Sequence, residues 1–544
     1  MRGRPLFLTL CLFSSGPSLA AQQPIGTGTL VVAGPREALS PVPTLWRNEQ
    51  FNREISDLIF LRLADVGPEV STTNERSFLP RLARRWTRRD PRTLVFELDP
   101  RATWQDGRPV TAMDAAFALN RARDPKLSPQ LATLLRRIST VTANDARHLT
   151  VRFTEAYPEQ LYDAVYHAPP LPAHLLASII PESLATSAFI QQPVGNGPYR
   201  LSRRAPGTLL ELAADTSFFL GTPAVRRILF LVAADGEARL NLLLSGTVDA
   251  VDNIYALPNP GRIDKLPDFF YYPVPGLNLQ YATLNLRNPA DTSQPHPILA
   301  DPVLRRALVL AFDRETVSKL AFGPFTRTPS APVSALVGRN AAAPPTLPYD
   351  TALARRLLAT RGWLDHDGDG MLDKDGRKLQ LTAMVPAPVA PRRQMSAQMQ
   401  EAYRRFGIEL LIEPLDIPVF IERRDAGKFD LDFYAVTQDP TPAGLSQSWS
   451  CAAPTTTNAG HYCNPIVDSL IAKAAVTSPD PGPLYREAVR RIADDVPAIF
   501  IAAQVPVIAL HRRFTNVTLR PESLWADVWQ WSVVPGQQLE RDRQ

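Results

Sequence analysis

An α/β fold is the expectation, and three features of the sequence carry it. Short Val- and Leu-rich runs bounded by Gly and Pro alternate with stretches whose apolar residues recur at helical spacing. The 53 prolines, near a tenth of the 544 residues, argue for many loops and extended segments and against an all-helical bundle. Hydrophobic residues are 45% and charged residues 21%, a globular balance that excludes wholesale disorder. The length suits about two to four domains, and no triplet or heptad repeat is sustained.

Residues 28–33 (GTLVVA) read as a buried strand. Ile55, Leu58, Ile59 and Leu63 mark a helix within 51–63, and 93–98 (TLVFEL) a strand. Thr111 with Asp114 three residues on is a capping-box-like helix start, ended at Asp124 and Pro125. Short strands are predicted at 149–153, 209–212, 224–232 and 248–251, with a turn at 195–199 and a helix over 237–244. From Asp301 the alternation sharpens. Asp301 is an N-cap with Pro302 at the first helical position, Asp313 caps a helix that stops at Gly323, and Asp350 caps 351–361 with Gly362 as the stop. Strands follow at 379–385 and 408–412, with a helix between them carrying Met395, Met399, Ala402 and Phe406 on one face and closed by Gly407. Phe429, Leu431, Phe433 and Ala435 alternate as a one-sided strand, and 341–348 (AAAPPTLP) reads as an exposed connector.

The first 21 residues read as a secretory leader. Arg2 and Arg4 precede an eight-residue apolar run, and Ser18 and Ala20 place small residues at a cleavage site. The run is far short of the roughly 20 residues that span a bilayer. Lys and Arg total 59 against 54 Asp and Glu, a formal charge of +5, which is small over this length. No nucleic-acid partner is expected, because aromatic residues do not interleave with the one dense basic patch, 81–92. Loss of the leader removes Cys11 and leaves Cys451 and Cys463 in an oxidising compartment. A bridge between them would close a 12-residue loop and stabilise by about 3 kcal/mol; two buried thiols are the alternative.

No phosphate-binding, nucleophile-elbow or zinc-protease motif is present, and the seven His are scattered. No catalytic residue and no cofactor is expected. One cation motif stands out. Asp365, Asp367 and Asp369 with Gly370, then Asp373, follow the first half of an EF-hand loop, while Gly376 replaces the bidentate Glu. Calcium binding there competes with a plain Asp/Gly turn.

Several segments in order carry a resemblance. Pro80, Leu82, Ala83 and Trp86, then Asp90, Thr93 and Phe96, follow a P-x-L-A-x-x-W … D-x-x-T-x-x-F pattern. Asp106, Gly107, Pro109, Thr111, Ala112 and Asp114 follow D-G-x-P-x-T-A-x-D. Gly195 to Tyr199 and Ser245, Gly246 and Asp249 supply two shorter matches. Asn285, Asp301, Val303, Arg305, Ala307, Asp313 and Arg314, then Tyr349, Asp350, Gly362 and Trp363 supply the rest. The chain thereby resembles the extracytoplasmic solute-binding proteins of ABC transporters, family 5, the peptide/nickel-binding type.

That resemblance implies a bilobal, periplasmic-binding-protein-like class II fold with an extra inserted domain. Lobe I would combine 24–60, 192–274 and 485–544, the insertion 61–191, and lobe II 275–484. It implies a periplasmic monomer that encloses a peptide or similar small polar solute between closing lobes. The partners would be an ABC permease and its ATPase subunits, with no chemistry done on the ligand. A metal chelate, haem or opine-type ligand is the alternative, and an exported enzyme a more remote one. Peptide-binding members meet the ligand ammonium with an Asp. In the matching segment here only Asp439 is acidic, and the position used by dipeptide-binding members is Val436. Arg392 and Arg393 fall in a cleft-lining stretch where they would meet a carboxylate, with Asn285 and Trp449 as further ligand contacts by motif position. Cys451 and Cys463 match the disulfide of the dipeptide-binding branch.

Overall fold

The computed structural model describes residues 27–543, apart from 39, 46–49, 69, 255–256, 258–260, 263–265, 333–345, 438–440, 442–443 and 478–479. The expected leader, Asp439 and most of the proline-rich connector lie outside the described residues.

Three sheets organise the chain. The first runs in the order Phe269–Pro273, Val507–His511, Ala250–Val251, Gly28–Gly34, Val225–Val232, Leu209–Ala214, Tyr199–Ala205. Its centre is parallel, Gly28–Gly34 pairing with Val225–Val232 and with Ala250–Val251, and these runs are apolar because both faces are covered. The second runs Glu409–Leu415, Gln380–Pro386, Leu431–Thr437, Asn278–Leu284, Ala498–Ala503. The third is a four-stranded antiparallel sheet, Ala83–Asp90, Thr93–Leu98, His148–Phe153, Ile138–Ala143. Its apolar side chains Leu94, Phe96, Leu149 and Val151 join Leu30, Ile228 and Phe230 of the first sheet in one continuous core.

The helix starts follow their caps. Asp301, Asp313 and Asp350 each accept an amide of the first turn, from Val303 at 2.8 Å, Thr316 at 3.1 Å and Leu353 at 2.8 Å. Thr111 and Asp114 form the expected capping box, and Gly407 ends Ala390–Phe406 in the left-handed region at φ 85°. The Gly195–Gly197 turn is set by close approach. A Cβ on Gly195 would lie 2.0 Å from the Ile59 carbonyl oxygen, which instead accepts the amides of Asn196 and Gly197. The Asn196 side chain accepts from Leu61 N at 2.8 Å, so one turn aligns the strand that follows against the end of helix Gln50–Ile59.

Among the described residues two segments join the first and second sheets: 274–277, leaving Phe269–Pro273 for Asn278–Leu284, and 504–506, leaving Ala498–Ala503 for Val507–His511. They bond to each other, Val274 N to Pro506 O at 2.9 Å, Gly276 N to Gln504 O at 3.1 Å and Gln504 N to Asn278 O at 3.0 Å. A Cβ on Gly276 would meet Gln504 O at 2.6 Å, so only glycine permits this pairing. The lobe boundary expected at 485 is corrected by this topology. Helix Gly482–Asp495 buries Tyr485, Ala488, Val489 and Ile492 against Leu279, Tyr281 and Phe500 of the second sheet, and the crossing back comes only at 504–506.

Candidate functional site

In open α/β sheets ligands bind outside the carboxyl ends of the parallel strands. Here both sheets turn those ends toward the hinge. In the first sheet Ala250 and Val251 pair antiparallel with Leu510 and Ala509, so this strand runs toward the start of Val507–His511, which leaves the hinge. In the second, Gln380–Pro386 is parallel to Leu431–Thr437, and Thr437 pairs with Asn278, the first residue after the hinge.

At that edge of the second sheet four polar side chains form a chain. Arg392, two residues into helix Ala390–Phe406, donates from Nε to Gln280 Oε1 at 3.4 Å. Gln280 donates to Asn278 Oδ1 at 2.6 Å, and Asn278 to Thr437 Oγ1 at 3.2 Å. Burial pulls the Arg392 guanidinium below its usual range. Among the described residues no carboxylate lies within 4.0 Å of it, so a partly desolvated cation stands at the cleft without an ionic partner. The expectation named Arg392 on this stretch and did not name Gln280, Asn278 or Thr437, which the hydrogen bonds join to it. Register after the hinge, which only the pairing shows, is what brings them together.

The adjoining wall is aromatic. Tyr281 lies opposite Tyr434 with ring centroids 6.0 Å apart. The Arg424 guanidinium stacks 3.9 Å from the Tyr434 ring centre and pairs with Asp432 at 2.8 Å. Both charged groups are buried. Burial raises the Asp432 carboxyl and Arg424 opposes that, so this acid is already matched and not free for a ligand ammonium. On the first sheet's side Asp252 follows Ala250–Val251 directly. Burial raises its carboxyl, opposed first by Arg239 and more weakly by Arg36. Nothing in the sequence pattern marked it.

Three expected ligand contacts are corrected. Asn285 is fully buried. Its amide donates to Gly427 O at 2.9 Å and Phe429 O at 2.8 Å, and its oxygen accepts from Arg287 N at 3.0 Å. Those bonds brace the loop before Leu431–Thr437 and leave nothing for a ligand. Trp449 is 7% exposed and packs its ring among Phe500, Tyr281 and Tyr462, with centroids 5.7, 6.2 and 6.2 Å away. Arg393 is exposed and turns back to donate to the Ala387 carbonyl of its own helix start. Cys451 and Cys463 form a disulfide, which pins the loop after Trp449 to the start of helix Pro465–Ala474.

The Asp/Gly loop gathers Asp365, Asp367 and Asp373, each offering an oxygen within 4.8 Å of the others. Asp369 departs from the set and pairs with Lys378. Asp365 accepts the amides of Gly368 at 2.8 Å and Gly370 at 3.1 Å, the self-bonding of an Asx turn.

A second group of acids lies at helix Gln160–Val165, close to Thr441 of the stretch of chain that carries the second sheet. Glu159 accepts the Thr72 hydroxyl at 2.9 Å and, across from it, the hydroxyl of Thr441. Asp163, one helical turn on, accepts from Tyr157 Oη at 2.7 Å and lies 3.8 Å from His167 Nε2. Burial raises the Asp163 carboxyl to about 7; the Tyr157 hydrogen bond opposes this, Glu159 adds to it, and Arg137 and Arg136 oppose it. An unfolded carboxyl titrates near 3.9, so the folded protein holds this proton while the unfolded chain loses it. Stability from this group is whole below about pH 4 and falls as pH rises to about 7, by up to about 4 kcal/mol. Asp163→Asn should therefore match the parent in urea unfolding near pH 4 and exceed it increasingly toward pH 7.5. A gap that stays flat across that range refutes the assignment.

The comparisons agree with this architecture. The profile of bacterial extracellular solute-binding proteins, family 5 Middle, matches residues 77–457. An ABC-transporter peptide-binding candidate from Brucella ovis is 26% identical over 372 residues, covering 66% of this chain and 65% of the relative. Oligopeptide-binding protein AppA of Bacillus subtilis is 25% identical over 268 residues, 48% of this chain and 47% of its own length. These alignments thus span about half to two thirds of the relatives. Among solved structures, AppA of Bacillus subtilis in complex with a nonapeptide superposes with a TM-score of 0.74 at 20% identity, over 94% of this chain and all of that one. NikA of Brucella suis in complex with Fe(III)-EDTA gives 0.77 at 17%, over 93% of this chain and 100% of the other. At such identities the likeness shows the bilobal fold. Among the described residues no helix is long and apolar enough to cross a membrane. With the profile covering well over half its length, the chain belongs to the bacterial extracellular solute-binding proteins, family 5.

Proposed function

We propose that this protein is the solute-capturing component of an ABC importer, acting in the periplasm after loss of its leader. It takes a peptide or similar small polar solute bearing a carboxylate between its lobes and hands it unaltered to a membrane permease. The observation that carries the reading is the hinge edge itself: strand ends of two sheets meet across two short crossings, with Arg392 held there by Gln280 and without a carboxylate partner among the described residues. Closing over a carboxylate would partner that cation and exclude water, so binding energy rises as the cleft shuts. The lobes described by the two sheets, with residues 61–191 as an insertion on the first, supply the moving parts. A second reading, an anionic metal chelate, is favoured by the state of the second sheet's edge: Asp432 is already matched by Arg424, and Val436 stands farther along the same strand.

A thermal-shift panel of di- and tripeptides, their C-terminal amides and anionic metal chelates tests this, since a ligand of the folded form raises the melting point. Stabilisation by free-acid peptides and not by their amides is the expected result. Stabilisation by chelates alone moves the assignment to the second reading. Recovery of a chemically altered ligand overturns both.

A further inference from the structure

We propose that Glu159 is a latch for the closing cleft, a positioning carboxylate on the inserted segment that holds the second lobe by accepting the Thr441 hydroxyl. This rests on the closing-cleft reading above and adds to it the contact that retains the closed state. Glu159 is 8% exposed and sits just before helix Gln160–Val165. Its Oε1 accepts from Thr72, 87 residues away in the same inserted segment, and from Thr441, 282 residues away. Thr441 comes four residues after Leu431–Thr437, the strand that carries the polar chain's last member. One carboxylate oxygen therefore ties the inserted segment to the connection leaving the binding edge.

The other lobe also lies within electrostatic reach of Glu159: the buried phenol of Tyr485, on a helix packed on the second sheet, is pushed up chiefly by burial and further by the nearby Glu159, with Arg137 opposing. Among the described groups about Glu159 are Asp163 and Tyr157 of its own segment and Thr72. Hydroxyl donors suit a reversible joint. Each is neutral, and on opening water replaces the bond on both sides. The Thr441 hydroxyl bond to the carboxylate oxygen forms only when the two sides meet, so the closed state gains.

Pulsed electron resonance between nitroxides tests the latch in the ligand-free mature protein, whose two cysteines are already bridged. Labels go on Arg147→Cys and Arg405→Cys, both exposed positions on opposite sides of the joint. The parent should show a short-distance population alongside longer ones. Thr441→Val and Glu159→Gln should each cut the short population about tenfold relative to the long, a shift of about 1.4 kcal/mol. The double variant should lose no more than either alone, and Thr441→Ser should restore the parent distribution. Distributions unchanged in Thr441→Val overturn the latch and leave solute capture standing. A single distance in the parent, the same in every variant, overturns the latch and the closing cleft together.

Discussion

Replacing Arg513 with Met is expected to cost about 3–5 kcal/mol of folding stability. The side chain has no exposed surface. Its Nε and one terminal nitrogen reach both oxygens of Asp249, at 2.8 and 3.1 Å, and the other reaches Asp542 at 2.7 Å. Arg541 shares Asp249 at 2.7 Å, while Asp542 also takes the Thr29 amide at 2.6 Å. The substitution leaves two enclosed carboxylates with one cation between them, and burying an unmatched charge costs far more than the pair ever contributed. Guanidinium unfolding at neutral pH measures it. Arg404→Met, which removes an exposed partner of Glu401, should leave the midpoint unmoved. Equal midpoints for the two variants contradict the account.

Arg392→Met is expected to weaken binding of the best free-acid peptide by about 2–4 kcal/mol, roughly 30- to 1,000-fold. The cation loses water on burial, no carboxylate among the described residues pairs with it, and a ligand anion would offset that cost. Calorimetry with the peptide and its C-terminal amide separates the contact from general damage. The parent should prefer the acid strongly, and Arg392→Met should bind acid and amide alike. Arg392→Lys should recover only part of the affinity, since it keeps the charge and loses the planar fork. A variant that still prefers the acid removes Arg392 from the site.

Much of the fold was legible because it is written in local rules. Asp301, Asp313 and Asp350 announce helix starts wherever they fall, since a short acceptor before an apolar run has one economical use. The strand Ala83–Asp90 escaped notice because four of its eight residues are exposed arginines. It is a sheet edge, where charge deters pairing with another chain, and periodic apolarity is therefore absent. The last stretch, from helix Pro465–Ala474 to strand Val507–His511, went unread, which is why the lobe boundary was set too early. The binding edge was only partly legible. Arg392 is named by a resemblance in its segment, whereas Gln280 and Asn278 join it through a register that no local pattern encodes. Asn285 is the opposite case: a polar side chain at a matching position is engaged by three backbone groups and the His461 ring.

The paired crossings at 274–277 and 504–506 behave mechanically as a leaf spring. Their mutual bonds run from Val274, Gly276 and Gln504, while Pro275 and Pro506 contribute no amide hydrogen and hold their φ angles narrow. Such a ribbon flexes along one coordinate and resists sliding or independent swivelling of its two legs. Capture of a guest then freezes a single soft mode instead of six rigid-body freedoms, and little of the attraction for the guest is consumed in ordering the halves.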